Sequence, residues 1–100
     1  MMYVMKYHEV LVESKRDKKL GNHEVEVFSD RRYFFYHGHM VCSVNESEMT
    51  FKLDDCGYGS HPSTKNCLAG YRKLLTAKGY TEIDPKPIFN YEYKQNVKKD

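Results

Sequence analysis

A chain of 100 residues has the length of one domain, and its 16 basic and 14 acidic residues leave a net charge of only +2, too little for a general attraction to nucleic acid. Leu, Ile, Val and Phe supply 21 residues, with nine Tyr and five Met beside them, so a thin aliphatic centre inside a Tyr-rich shell is expected. No apolar run approaches the ~20 residues of a membrane helix, and three cysteines, Cys42, Cys56 and Cys67, fit reduced thiols better than a disulfide framework.

Residues 3–12 read as a β-strand, with Val4, Lys6, His8, Val10 and Val12 on one face of an extended chain; a short helix is the competing reading. The charged residues among them rule out a signal-peptide core, and the cytoplasm is the expected location. Residues 14–22 form a basic connection carrying Lys15, Arg16, Lys18 and Lys19, closed by Gly21-Asn22. Residues 23–28 alternate, with Val25 and Val27 inward and Glu24 and Glu26 outward. Ser29, Asp30, Arg31 and Arg32 read as a turn, and residues 33–36 as an aromatic strand. His37-Gly38 has the chemistry of a tight hairpin, with residues 40–44 as the return strand. After a turn at residues 45–48, Met49, Phe51 and Leu53 face inward from the next strand.

A glycine loop, Gly57-Tyr58-Gly59, then leads to the clearest helix, at about residues 64–78. Ser63 or Thr64 suits its N-cap; Cys67, Leu68, Tyr71, Leu74 and Leu75 form its apolar stripe; Gly79 suits a left-handed end with Tyr80 folding back. Its outer face carries Lys65, Arg72 and Lys73. Residues 81–83 read as a short strand, 84–87 as a proline-rigid kink, 88–93 as a final strand, and 96–100 as a frayed charged tail. The whole is one α+β domain, residues 1–100: an antiparallel meander of about four to six strands packed on one main helix.

No segment carries a well-specified catalytic or cofactor motif. His37, His39, Cys42, Cys56 and His61 are zinc-type ligands, but no finger spacing joins them, so neither metal nor cofactor is expected. Cys56 with His61 or His37, oriented by Asp54 or Asp55, is the one nucleophilic set, and a small Cys/His enzyme is the weakest reading. The glycine loop before a helix start, with Tyr58, His61 and Lys65, suits an anion. Arg31 and Arg32 beside the rings of residues 33–36 suit stacked bases, provided that two of those rings lie outside the core.

Tyr36, His37, Gly38, Leu53, Asp54, Gly57, Tyr58, Ser63, Thr64, Lys65 and Tyr71 carry a resemblance. Over residues 36–73 the chain resembles small accessory domains of unknown function found in bacteriophages and mobile elements. The resemblance implies a non-enzymatic binding protein that occupies a surface of a host protein or protein–nucleic-acid complex, as anti-CRISPR inhibitors of host nuclease defence do. The contact residues would come from Lys15, Arg16, Lys18 and Lys19, from Arg31 and Arg32, from Tyr58 and His61, and from Lys65, Arg72 and Lys73. The alternative is a module that touches nucleic acid directly through the aromatic strand and basic loops. No membrane contact is expected, and the thin core leaves homodimerisation through a Tyr-rich face open.

Overall fold

A computed structural model describes the backbone of residues 2–54 and 61–83 and the side chains of residues 7–54 and 61–83. Its elements are α1 (Met2–Glu13), β1 (Lys18–Leu20), β2 (His23–Val27), β3 (Arg31–Tyr36), β4 (His39–Asn45), β5 (Thr50–Leu53), α2 (Pro62–Ala77) and β6 (Thr81–Glu82). The strands make one sheet in sequence order, antiparallel from β1 to β5. Strand β6 runs parallel to β5, and α2 provides the crossover that a parallel pair requires. The architecture is α+β, a meander with the expected main helix. The glycine loop at residues 57–59 and everything expected beyond residue 83 lie outside the described residues.

The N-terminal segment corrects the sequence reading: Met2–Glu13 is a helix, not a strand. An extended chain would bury His8, Val10 and Val12 together. Instead His8, Leu11 and Val12 are buried while Val10 is exposed, which is the i, i+3, i+4 pattern of a helix. Its many β-branched residues disfavour helix by only fractions of a kcal/mol each, and packing against α2, β1 and β2 overrides that.

Both helices cover one face of the sheet, α1 over β1 and β2, α2 over β4 and β5. Between them lies the main core: Leu11 and Val12 of α1, Cys67, Tyr71 and Leu75 of α2, and Val25, Phe34, Val44, Phe51 and Leu53 of the sheet. A bulge after Phe34 pairs Phe34 with Cys42 and Phe35 with Met40, so Val41 is the extra residue and still points into the core. On the opposite face Tyr33, Phe35 and Met40 form a second buried cluster with Phe28.

The turns follow their chemistry. His37 (φ 53°) and Gly38 (φ 81°) both lie in the left-handed region, as a two-residue type I′ hairpin demands. Two details differ from expectation. Arg31 and Arg32 belong to β3 rather than to the preceding turn, which narrows to Ser29-Asp30. Met49 sits in the β4–β5 turn at φ 57°, 41% exposed, instead of facing inward from β5.

Helix α2 begins with His61 at the N-cap and Pro62 in its first turn; no side chain caps it, and Thr64 is buried instead. Its end is as the sequence implies. Gly79 has φ +97°, its amide donates to the Thr76 carbonyl at 3.0 Å, and the Tyr80 amide donates to Leu75 at 3.0 Å, a complete Schellman motif.

Candidate functional site

The eleven contact residues expected from the sequence do not gather on one surface. Lys15, Arg16, Lys18 and Lys19 are all exposed at the β1 edge. His61, Lys65, Arg72 and Lys73 are exposed on α2, over the other half of the sheet. Arg72 is engaged there by both carboxylate oxygens of Glu82, at 2.7 and 3.0 Å, which pulls the Glu82 carboxyl below its ordinary range. Arg31 pairs with Asp30 at 3.1 Å. Tyr58 lies outside the described residues, as does Cys56.

Arg32 is an internal strut. Only 8% exposed, it donates through Nη1 to the Val12 carbonyl at the end of α1 and through Nε to Glu46. Tyr80 donates its hydroxyl to the same Glu46. A cation on the last carbonyls of a helix complements both the unpaired acceptors and the dipole. The aromatic platform is likewise internal: Tyr33, Phe34 and Phe35 are buried and Tyr36 is half-buried, so β3 offers no pair of outward rings for bases.

The β1 edge is different. Within residues 15–19 Asp17 is the single carboxylate, and its Oδ1 accepts the Val27 amide at 2.7 Å, which pins the loop to β2; Glu24 stands opposite Lys19 across the strand pair. None of the four cations has an ion pair with a described residue. Exposed Tyr7 and Val10 of α1 flank them: Val10 lines an open groove with Lys15, Arg16 and Lys18 and with Glu9 and Glu13, and the Tyr7 ring lies 3.7 Å from where a Cβ on Gly21 would stand.

A second constellation lies buried where α1, β2 and α2 meet. His8 (0% exposed), His23 (6%) and Cys67 (0%) bring one ligand atom each within 4.8 Å of one another. The His8 ring stands edge-on to His23 at 5.1 Å and to Tyr71 at 4.1 Å, and His23 stacks on Tyr36 at 4.8 Å. Gly70 makes room for this: a Cβ there would come within 3.1–3.2 Å of the His8 ring. Burial, with His8 and His37 nearby, lowers the His23 pKa to about 4, so its ring is neutral at pH 7. Burial raises the Cys67 thiol to about 12 and pushes Cys42 and the Tyr71 hydroxyl upward. Neither buried thiol is therefore an activated nucleophile.

Sequence reasoning missed this cluster. Cys67 and Tyr71 were visible as an α2 stripe, but His8 falls on the core side only once residues 2–13 are helical, and positions 8, 23 and 67 share no spacing motif. The ligand set considered from sequence stays dispersed: His37 and His39 are exposed at the hairpin while Cys42 is in the core. No protein-family model, curated protein or solved structure matches the chain. No helix among the described residues is long and apolar enough to cross a membrane.

Proposed function

We propose that this chain is a small, non-enzymatic binding protein that sets its basic β1 edge against an acidic surface of a host protein or protein–nucleic-acid complex, in the manner of phage inhibitors of host nucleases. The carrying observation is the run Lys15, Arg16, Lys18 and Lys19, four exposed cations that make no ion pair with a described residue, while Asp17, the one carboxylate within the run, is turned to the backbone. Lysines on an edge strand also discourage pairing with another sheet, so the partner is read through charge and side chains rather than by strand addition. Tyr7 and Val10 beside the cations supply the apolar contact that charge alone lacks.

The test compares the protein with a variant carrying Lys15→Glu, Arg16→Glu, Lys18→Glu and Lys19→Glu. Both are assayed for capture of bacterial host proteins and for inhibition of host nucleases, with circular dichroism as the folding control. Capture or inhibition by the parent that the folded variant loses supports the reading; equal behaviour of the two removes it. Fluorescence anisotropy with labelled DNA and RNA decides the alternative: tight binding that falls steeply with salt would make nucleic acid the direct partner.

A further inference from the structure

We propose that His8, His23 and Cys67 form a binding site for one zinc-class divalent metal ion, which clips α1 and α2 to the start of β2. The three residues come from three different elements, and their ligand atoms already lie within 4.8 Å of one another. Tetrahedral zinc, with nitrogen at ~2.0–2.1 Å and sulfur at ~2.3 Å, brings its ligand atoms to roughly 3.5 Å, so a contraction of about 1 Å closes the site.

A second observation points to a ligand. His23 Nδ1 and the Tyr71 hydroxyl are fully buried polar atoms with no hydrogen-bond partner among the described residues. Each such atom costs on the order of 1–3 kcal/mol, and a native interior holds few without a water or ion to explain them. The His23 ring stands beside a thiol and a second imidazole, a donor set that one metal ion would join. The Tyr71 ring stands edge-on to His8 at 4.1 Å, so its side chain borders the site.

The donor set selects the metal. Two imidazoles and one thiolate suit zinc, cobalt or copper and offer nothing to magnesium or calcium, which take oxygen. The low His23 pKa already presents a neutral ring. On binding, the Cys67 thiol releases its proton to solvent and its sulfur pair enters the metal–sulfur bond, so uptake liberates one proton per ion. His23 retains slight exposure, giving the ion a way in beside Tyr36.

The experiment titrates chelator-treated protein with Co2+. The expected result is uptake of one equivalent, a visible ligand-field band, a near-ultraviolet thiolate-to-cobalt band, displacement of both by Zn2+, and a rise in Tm. Folded Cys67→Ser should lose the thiolate band, and folded His23→Gln should bind at least tenfold more weakly. His37→Ala, His39→Ala and Cys56→Ser should each leave the parent spectrum unchanged; this arm decides the matter should the core variants not fold. Absence of uptake at millimolar Co2+, a spectrum without the thiolate band, its survival in Cys67→Ser, or its loss in Cys56→Ser would each overturn the proposal.

Discussion

The two helices cover the same face of the sheet, yet their C-termini are closed by opposite means. Helix α2 ends on its own chain: Lys78, Gly79 and Tyr80 all donate back to carbonyls of the last turns. Helix α1 has a local bond as well, from the Ser14 amide to the Leu11 carbonyl at 3.1 Å, but its Val12 carbonyl is taken by a distant residue, Arg32 of β3, 20 positions along the chain. A short-range end is written in a few adjacent residues and needs nothing else. A long-range end exists only once the sheet has formed, so α1 depends on tertiary structure in a way that α2 does not.

The largest effect should come from Arg32→Ala. It strips the Val12 carbonyl of its donor and leaves Glu46 without its cation in a partly buried setting. Breaking such a pair costs about 3 kcal/mol. A urea titration measures the total, and hydrogen exchange places it: α1 amides should lose protection before those of α2. Arg32→Lys should recover only part, since an ammonium cannot span Glu46 and the helix end as the guanidinium fork does. Equal loss of protection in both helices would refute a cap specific to α1.

The next effect is acid sensitivity at the place where α1 meets β2. The His23 pKa falls from 6.5 to about 4 on folding. Between those values the unfolded chain binds the extra proton, so lowering the pH favours unfolding. The stability this group contributes is fully present above about pH 6.5 and drains away as the pH falls through 4. In metal-free protein Tm should decline across that window, and His23→Gln should flatten the decline. An unchanged slope in His23→Gln would mean that another group drives it.

The same contrast explains what the sequence made legible. The His37-Gly38 hairpin, the alternation at Val25 and Val27, the α2 stripe and the Gly79 end are local signals, and each appears in the fold. Residues 3–12 carried no decisive local signal, because their apolar spacing fits period 2 nearly as well as 3.6. Their helix is chosen by what packs on it: Gly70 admitting the His8 ring, and Arg32 at the far end. The site divides in the same way. The cations of the β1 edge could be read directly, since clustered Lys and Arg are solvated wherever the chain goes. Arg32 could not be told from Arg31 without the fold, nor could the sequence say whether two rings of β3 lie outside the core, the condition for stacked bases that the buried Tyr33, Phe34 and Phe35 do not meet.

The smallest effect tests the autonomous end of the comparison. At Gly79 a Cβ would meet only Met49 Cε, at 3.8 Å, which is ordinary contact, so Gly79→Ala creates no clash. Its cost is the backbone alone, an L-residue held at φ +97°, and about 1 kcal/mol is expected in a urea titration. Gly79→Asn should cost less, because asparagine tolerates left-handed backbone better than alanine. Neither variant should change exchange in α1, whose end is held by Arg32. A Gly79→Ala loss as large as that of Arg32→Ala would show that the α2 terminus, too, is held from outside its own turn, most directly through the Tyr80 hydroxyl on Glu46.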